Sequence, residues 1–366
     1  MKQVIALLLV GVLCGMGVGW AEPSVVSAAA VLIDGDTGRV LWGQNMDKPL
    51  PMASTTKIMT ALVVLENADL EAEVTIPALA SGIPGTSIYL SEGETLTVRQ
   101  LLMGLLLRSG NDAAVALADY TGGSVEKFVE MMNERAEALG VDASFANPHG
   151  LDAEGHEASA RAMALIAREA LKNGTFAEIV GTRRAVIPWD GNEYSRVLQT
   201  KNRLLWEYEG ATGVKTGYTG RAGRCLVFSA EREGVDLIGV VMNCGTWFDS
   251  AREILDWGFE HYERRRALAR GDPAGSLRAL GREIAVLAGE DVELTLGEGD
   301  AVDIVLEPME GLGAPIREGD AVGVGHAAVN GRVVKDFVLI SGERIEDRSY
   351  AACVRRVAGR WGIEAR

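Results

Sequence analysis

A lysine near the start of an apolar helix sets the first constraint on this chain. Residues 51–67 read PMASTTKIMTALVVLEN, with Ser54 three residues before Lys57. Residues three apart share a helix face, so the two side chains can touch. An ammonium group on an apolar face is costly to bury unless it is paired or working. The fold must therefore bring partners to Lys57 from elsewhere, or leave it at a solvated helix end beside a capping serine.

Chemistry makes specific demands on such partners. A serine at a helix start gains from free backbone N–H groups and the positive end of the dipole, which favour a developing oxyanion. A lysine in a dry pocket beside other cations loses its proton easily and can serve as the serine's base. Two further stretches fit that picture. Ser109-Gly110-Asn111 breaks an apolar helical run, LLMGLLLRSGNDAAVALADY, and can turn a hydroxyl and an amide into a cleft, or simply cap the next helix. Lys215-Thr216-Gly217, in GVKTGYTGRAGRCLVFSA, leads into a hairpin. There a lysine and a threonine on an edge strand could hold a carboxylate, with Gly217 allowing close approach. Each stretch alone is equally a cap, a solvated lysine or a strand start.

The three together, in this order, resemble the Ser-x-x-Lys, Ser-Asp-Asn and Lys-Thr-Gly set of penicillin-binding proteins and class A β-lactamases, with Gly110 in place of Asp in the second. PMASTTKIMTAL, LLLRSGNDAAVALAD, NPHGLD and GVKTGYTGRAGRCLV resemble the secreted low-molecular-weight D-alanyl-D-alanine carboxypeptidases that trim peptidoglycan. The resemblance runs from residue 25 to about 262. It implies an antiparallel α/β sandwich with a helical insertion, β-lactamase/transpeptidase-like, followed by a small all-β domain.

The resemblance also implies roles. Ser54 is the nucleophile acylated by the penultimate D-alanine carbonyl of a peptidoglycan stem peptide, and β-lactam antibiotics inhibit by mimicking that bond. Lys57 is the base. Ser109 and Asn111 shuttle protons and position substrate, with Lys215 supporting the network. Thr216 holds the terminal carboxylate, Gly217 lies beside it, and the N–H groups of Ser54 and Tyr218 form the oxyanion hole. His149, in NPHGLD, falls near the cleft or in a structural turn. No cofactor is implied. Two positions depart from the family pattern: Trp247 stands where many members carry a carboxylate-binding arginine, with Arg252 one turn on, and Ala162 stands for an aspartate. D,D-endopeptidase action and β-lactam hydrolysis are the alternatives on this fold. Class A β-lactamases place Glu-x-x-Leu-Asn before the third motif, and none occurs between Asn111 and Lys215. A silent wall-binding protein would be free to lose Ser54, Lys57 and Lys215.

Composition agrees. The 366 residues are 48% hydrophobic and 24% charged, which suits a folded protein of one large and one smaller domain. A formal net charge of −15 argues against a nucleic-acid partner. Lys2 followed by VIALLLVGVLCGMGVGW and Ala21 reads as a secretory signal, or as a retained anchor; both place the protein outside the cytoplasm. The scattered cysteines and histidines have no zinc spacing, so no metal is expected. Cys225 and Cys244 fall on consecutive predicted strands, where a bridge is geometrically possible.

AAAVLIDGDTGRVLWGQN, from about residue 25, predicts two short strands with a turn at Gly35-Asp36-Thr37-Gly38, followed by a helix from near Ala53 and more helix through 97–172. Strands then resume, with a hairpin turning at Glu233-Gly234 and a closing helix from Ser250 to Tyr262. VELTL, AVDIVLE, AVGVGHAAV and KDFVLI alternate in polarity between Gly-rich turns. The expected division is a signal at 1–21, a catalytic domain at 22–265, a β-rich domain at 266–345 and an amphipathic segment at 346–366.

In that last segment Tyr350, Ala351, Val354, Val357, Ala358 and Trp361 fall on one side of a helix and Arg348, Arg355, Arg356 and Arg360 on the other. Such a helix suits an anionic membrane surface, or packs on the β domain. The carboxypeptidase resemblance favours the membrane. Protein lacking residues 1–21 is expected to sediment with anionic vesicles at low salt and to be released by salt. Truncation after Asp347 should abolish sedimentation without loss of carboxypeptidase activity; a truncated protein that unfolds would mark a packing helix instead.

Overall fold

The computed structural model describes residues 22–347, so the leader expected at 1–21 and nearly all of the segment expected at 346–366 lie outside the described residues. The chain divides into two compact units at His261/Tyr262.

The first unit is built on a five-stranded antiparallel sheet in the order Val40–Gln44, Ala29–Asp34, Val235–Met242, Gly223–Arg232, Ala211–Thr219. Alternate residues of one strand serve two cores. Ala29, Val31 and Ile33 pack on the helical side, whereas Ala30 and Leu32 pack against the helix Trp247–His261. Covered faces on both sides explain why Ala29–Asp34 reads as an unbroken buried run rather than an alternation. The hairpin turns at Glu233 and Gly234, with φ of +51° and +78°, the paired positive values that match strand twist in a two-residue turn. Cys225 and Cys244 are free thiols, and they belong to opposite core layers.

Helices α1 (Lys57–Asn67), α2 (Val98–Met103), α3 (Asn111–Gly122), α4 (Val125–Ala138) and α5 (Ala160–Leu171) make the helical layer. The central α1 buries every residue from Lys57 to Val64. Thr97 and Gln100 close a capping box at the start of α2. Ala162, the departure from the family's aspartate, is a core residue of α5, and its N–H donates to the capping Ser159 hydroxyl at 3.0 Å.

The predicted break between two helices is present, with a twist. After α2 the chain winds through a wider π turn, Gly104–Arg108, and Ser109 takes the left-handed conformation at φ +65°, ψ +34°. The extra residue of a π turn re-aims the chain, a device common at functional sites. Α segment from Pro84 to Leu90 wraps this joint: Asp112 accepts from Ile88 N–H at 3.0 Å and Leu90 N–H at 3.1 Å. A buried ion pair fixes that segment, with Arg196 Nη1 2.6 Å from Glu94 Oε1 and Nη2 donating to Oε2 at 2.7 Å and to Tyr89 O at 3.2 Å.

The second unit carries a five-stranded antiparallel sheet, Pro273–Ala279, Arg282–Ala288, Arg332–Ser341, Ala321–Val329, Val302–Pro308, and the pair Tyr262–Leu268 with Val292–Gly297. Leu277, Ile284, Val286, Leu294, Phe337 and Leu339 fill its core. The first strand begins at Tyr262, four residues before the start expected at 266, because its partner strand reaches back to pair Gly297 with Tyr262.

Removing one member of the buried Glu94–Arg196 pair leaves an uncompensated charge. Arg196→Ala is expected to lower unfolding free energy by about 3–5 kcal/mol in urea titrations. A loss under about 1 kcal/mol would show that the pair does not anchor the Pro84–Leu90 segment.

Candidate active site

Ser54 lies in a 3-10 turn, Ala53–Thr56, that runs directly into α1. Ala53 is held at φ +49°, a left-handed conformation that disfavours a residue with a Cβ. Such local strain persists only where the surroundings enforce it. They do so here from two sides. A Cβ built on Gly150 would lie 2.0 Å from the Ala53 carbonyl oxygen, and one on Gly217 would lie 2.8 Å from the Ser54 nitrogen. Only glycine permits either approach. Ser54 N–H has no acceptor among the described residues.

Lys57 is fully buried, and its Nζ meets three oxygens: Ser54 Oγ at 3.0 Å, Asn111 Oδ1 at 2.7 Å and the His149 carbonyl at 2.5 Å. Burial, and then the positive charges of Lys215 and Lys201, hold its pKa well below the usual lysine value, against a smaller opposing pull from Asp112. A neutral amine has two hydrogens and one lone pair. The two fixed acceptors, Asn111 Oδ1 and His149 O, take the hydrogens, which leaves the lone pair for the Ser54 hydroxyl. The geometry fits a base.

Asn111 is fixed in turn, donating from Nδ2 to Pro84 O at 2.6 Å and from its backbone to Thr86 O at 2.7 Å. Ser109, buried beside it, sits at the left-handed joint. On the edge strand Lys215 and Thr216 are buried, whereas Tyr218 is 67% exposed. Lys215 Nζ donates to Thr216 O at 2.8 Å, and its pKa is lowered to about 7, first by burial and then by Lys201.

The structure thus brings Ser54, Lys57 and Asn111 into contact, with Lys215 within electrostatic reach and Gly217 against the Ser54 backbone. Three features escape the sequence reading. Lys201, which donates to Thr86 Oγ1 at 3.3 Å, adds positive charge felt by both buried lysines and is itself depressed by burial and by Arg108. His149 contributes its backbone carbonyl to Lys57, which no side-chain pattern signals. The segment from Phe145 to His156 clamps the serine turn, with Thr60 Oγ1 donating to Pro148 O at 2.6 Å and Thr56 Oγ1 2.8 Å from His156 Nε2. Arg252 does not replace the missing arginine: it pairs with Glu207 and with Asp249 at 2.7 Å. Trp247 lies under the Arg224 guanidinium, 5.9 Å from its ring centre.

The chain is similar to known proteins along most of its length. The family model described as D-alanyl-D-alanine carboxypeptidase matches residues 17–246. The chain is 31% identical to D-alanyl-D-alanine carboxypeptidase DacF of Bacillus subtilis over 386 aligned residues, covering 99% of each chain. It is 33% identical to DacC of Escherichia coli, covering 90% of this chain and 86% of that one. Among solved structures, penicillin binding protein 5 from Haemophilus influenzae superimposes with a TM-score of 0.73 at 28% identity, covering 90% of this chain and all of that one.

Two histidines give the site an acid limit. His149 and His156 are both held at about 4, chiefly by burial, with Lys57 adding to the effect at each. Depressed folded-state values mean that the unfolded chain binds more protons between about 6.5 and 4, so stability is retained above that window and lost as pH falls through it. His156 alone accounts for about 3 kcal/mol. Asp236, raised to about 6 mainly by burial, opposes the trend with one carboxyl. Urea midpoints are expected to fall steadily between pH 6.5 and 4; a flat profile would mean that the histidines are not buried as neutral rings.

Proposed function

We infer the reaction from one premise: the chain belongs to the D-alanyl-D-alanine carboxypeptidase family. It is a serine-type D-Ala-D-Ala carboxypeptidase that removes the terminal D-alanine of peptidoglycan stem peptides through an acyl-enzyme. The observation that carries this reading is the coordination of Lys57, whose amine is left one open direction, toward Ser54 Oγ.

The geometry supports the following roles. Lys57 takes the Ser54 proton as Oγ attacks the penultimate D-alanine carbonyl, and the oxyanion collects at the unclaimed Ser54 N–H and at the N–H of Tyr218. Collapse breaks the C–N bond. The departing D-alanine amine takes a proton that Lys57 gained, relayed by Ser109, and an ester to Ser54 remains. Water then attacks the ester and returns the proton to the Lys57–Ser54 pair. Asn111 aligns the substrate and Lys57 together. Burial, and then the charges of Lys215 and Lys201, lower the proton affinity of Lys57, and those two lysines, with Thr216, draw the terminal carboxylate into the cleft. The edge strand Ala211–Thr219 has no strand on its outer side among the described residues and can receive the peptide as an added strand.

The leader at the N-terminus supports work outside the cytoplasm, where peptidoglycan lies, and the arginine-backed C-terminal segment supports attachment to an anionic membrane surface. The absence of Glu-x-x-Leu-Asn supports peptide trimming over β-lactam hydrolysis. A β-lactam ester on Ser54 is then expected to deacylate slowly.

A labelled penicillin is expected to form a stable adduct at Ser54, located by mass spectrometry of peptic fragments. Ser54→Ala should abolish it. Lys57→Arg should fall by at least about 100-fold in acylation rate, because a guanidinium stays protonated near neutrality. Label persisting in Ser54→Ala would remove the nucleophile assignment, and a Lys57→Arg protein acylated at the wild-type rate would show that charge alone suffices.

A further inference from the structure

We infer that His156, through the Thr56 hydroxyl, is a positioning residue that aims the Ser54 N–H into the oxyanion hole. The inference rests on the acyl-enzyme reading above and concerns a side chain outside the three motifs.

Hydrogen-bond accounting fixes the chain of donors. The N–H of Ala146 donates to His156 Nδ1 at 3.0 Å, so Nδ1 must be the unprotonated nitrogen. Nε2 then carries the hydrogen and donates to Thr56 Oγ1 at 2.8 Å. With its lone pair engaged by the ring, the Thr56 hydroxyl donates its own hydrogen to the Ala53 carbonyl at 2.8 Å. All members of this relay are buried: His156 is 4% exposed and Thr56 is fully covered. Burial holds the ring neutral, with Lys57 acting in the same sense and Asp152 against it, while His149 lies nearby.

The peptide unit at the end of the relay is the one that matters. Ala53 C=O and Ser54 N–H belong to a single planar trans peptide, so they point in opposite directions. Fixing the carbonyl fixes the N–H. Without the relay this peptide has reason to rotate, because Ala53 stands at φ +49° where a Cβ is disfavoured. Gly150 blocks one direction of movement by packing against the Ala53 carbonyl, but it supplies no hydrogen bond. The His156–Thr56 relay supplies the directional restraint. An oxyanion donor is effective only when held in place before the charge develops.

A role in aiming the N–H makes different predictions from a role in packing. His156→Leu and Thr56→Val should each lower the penicillin acylation rate and the kcat for a D-Ala-D-Ala peptide by about 10- to 100-fold with little change in KM, since the restraint acts in the transition state. His156→Gln should restore the rate to within about threefold, because its amide N–H can reach Thr56. The Leu/Val double variant should be no worse than the single ones, since both break one relay. A Thr56→Val protein acylating at the wild-type rate would overturn the inference, as would Gln and Leu variants of equal rate. Nitrogen-15 spectra of labelled His156 read the relay without any substrate: protonated Nε2 and bare Nδ1 are expected, and the reverse tautomer overturns it. A wild-type protein that penicillin does not label would instead count against the acyl-enzyme reading, while the tautomer measurement still decides the relay.

Discussion

Everything in the catalytic unit is organised around a buried amine with three oxygen neighbours. Lys57 cannot be solvated where it stands, and the low-dielectric surroundings penalise its charged form. Two of its neighbours, Asn111 Oδ1 and the His149 carbonyl, come from segments far apart in sequence, and each is held by further hydrogen bonds. The Pro84–Leu90 segment, the π turn before Ser109 and the loop from Phe145 to His156 can all be read as scaffolding for those two acceptors. The desolvation penalty that would make a stray lysine destabilising here disfavours its charged form and so favours a free amine.

Ser54, the proposed nucleophile, is held by the opposite means, restraint rather than desolvation. Ala53 is held in a conformation it would not choose, with Gly150 and Gly217 pressed against its peptide and hydroxyl groups tied to nearby carbonyls. The two glycines come from the loop and from the edge strand, so the serine turn is gripped between the elements that line the cleft. This also accounts for the third position of Lys-Thr-Gly: the requirement at Gly217 is space for the Ser54 nitrogen, not backbone freedom. At Gly150, with φ +88°, both requirements apply.

Much of this was legible in the sequence, and the parts that were not share a cause. Strands at Ala29–Asp34 and Val40–Gln44, the Glu233-Gly234 hairpin and the helix break at Ser109 announce themselves through turn residues and periodicity, which are local properties. The three motifs carried the site because each contributes a side chain. His149 acts through a carbonyl that every residue possesses, so its identity conveys nothing. Lys201 acts through its charge across space, and nothing around it in sequence marks it. Texture places the change of unit near residue 266, whereas strand pairing joins Tyr262 to Gly297.

The cluster of cations around Ser54 has a consequence for the order of events. Burial first, and then the charges of Lys215 and Lys201, lower the proton affinity of Lys57 and favour its free amine beside Ser54. A substrate carboxylate entering beside Lys215 and Thr216 would offset those charges and raise the affinity of the lysines for protons. The proton released by Ser54 in the next step therefore finds a better acceptor with the substrate bound than without it. A peptide lacking a free terminal carboxylate would leave the lysines uncompensated, and the penalty would fall on proton transfer as well as on binding. One charge in the substrate would then serve both for recognition and for the chemistry, reserving reactivity for peptides that end in a carboxylate.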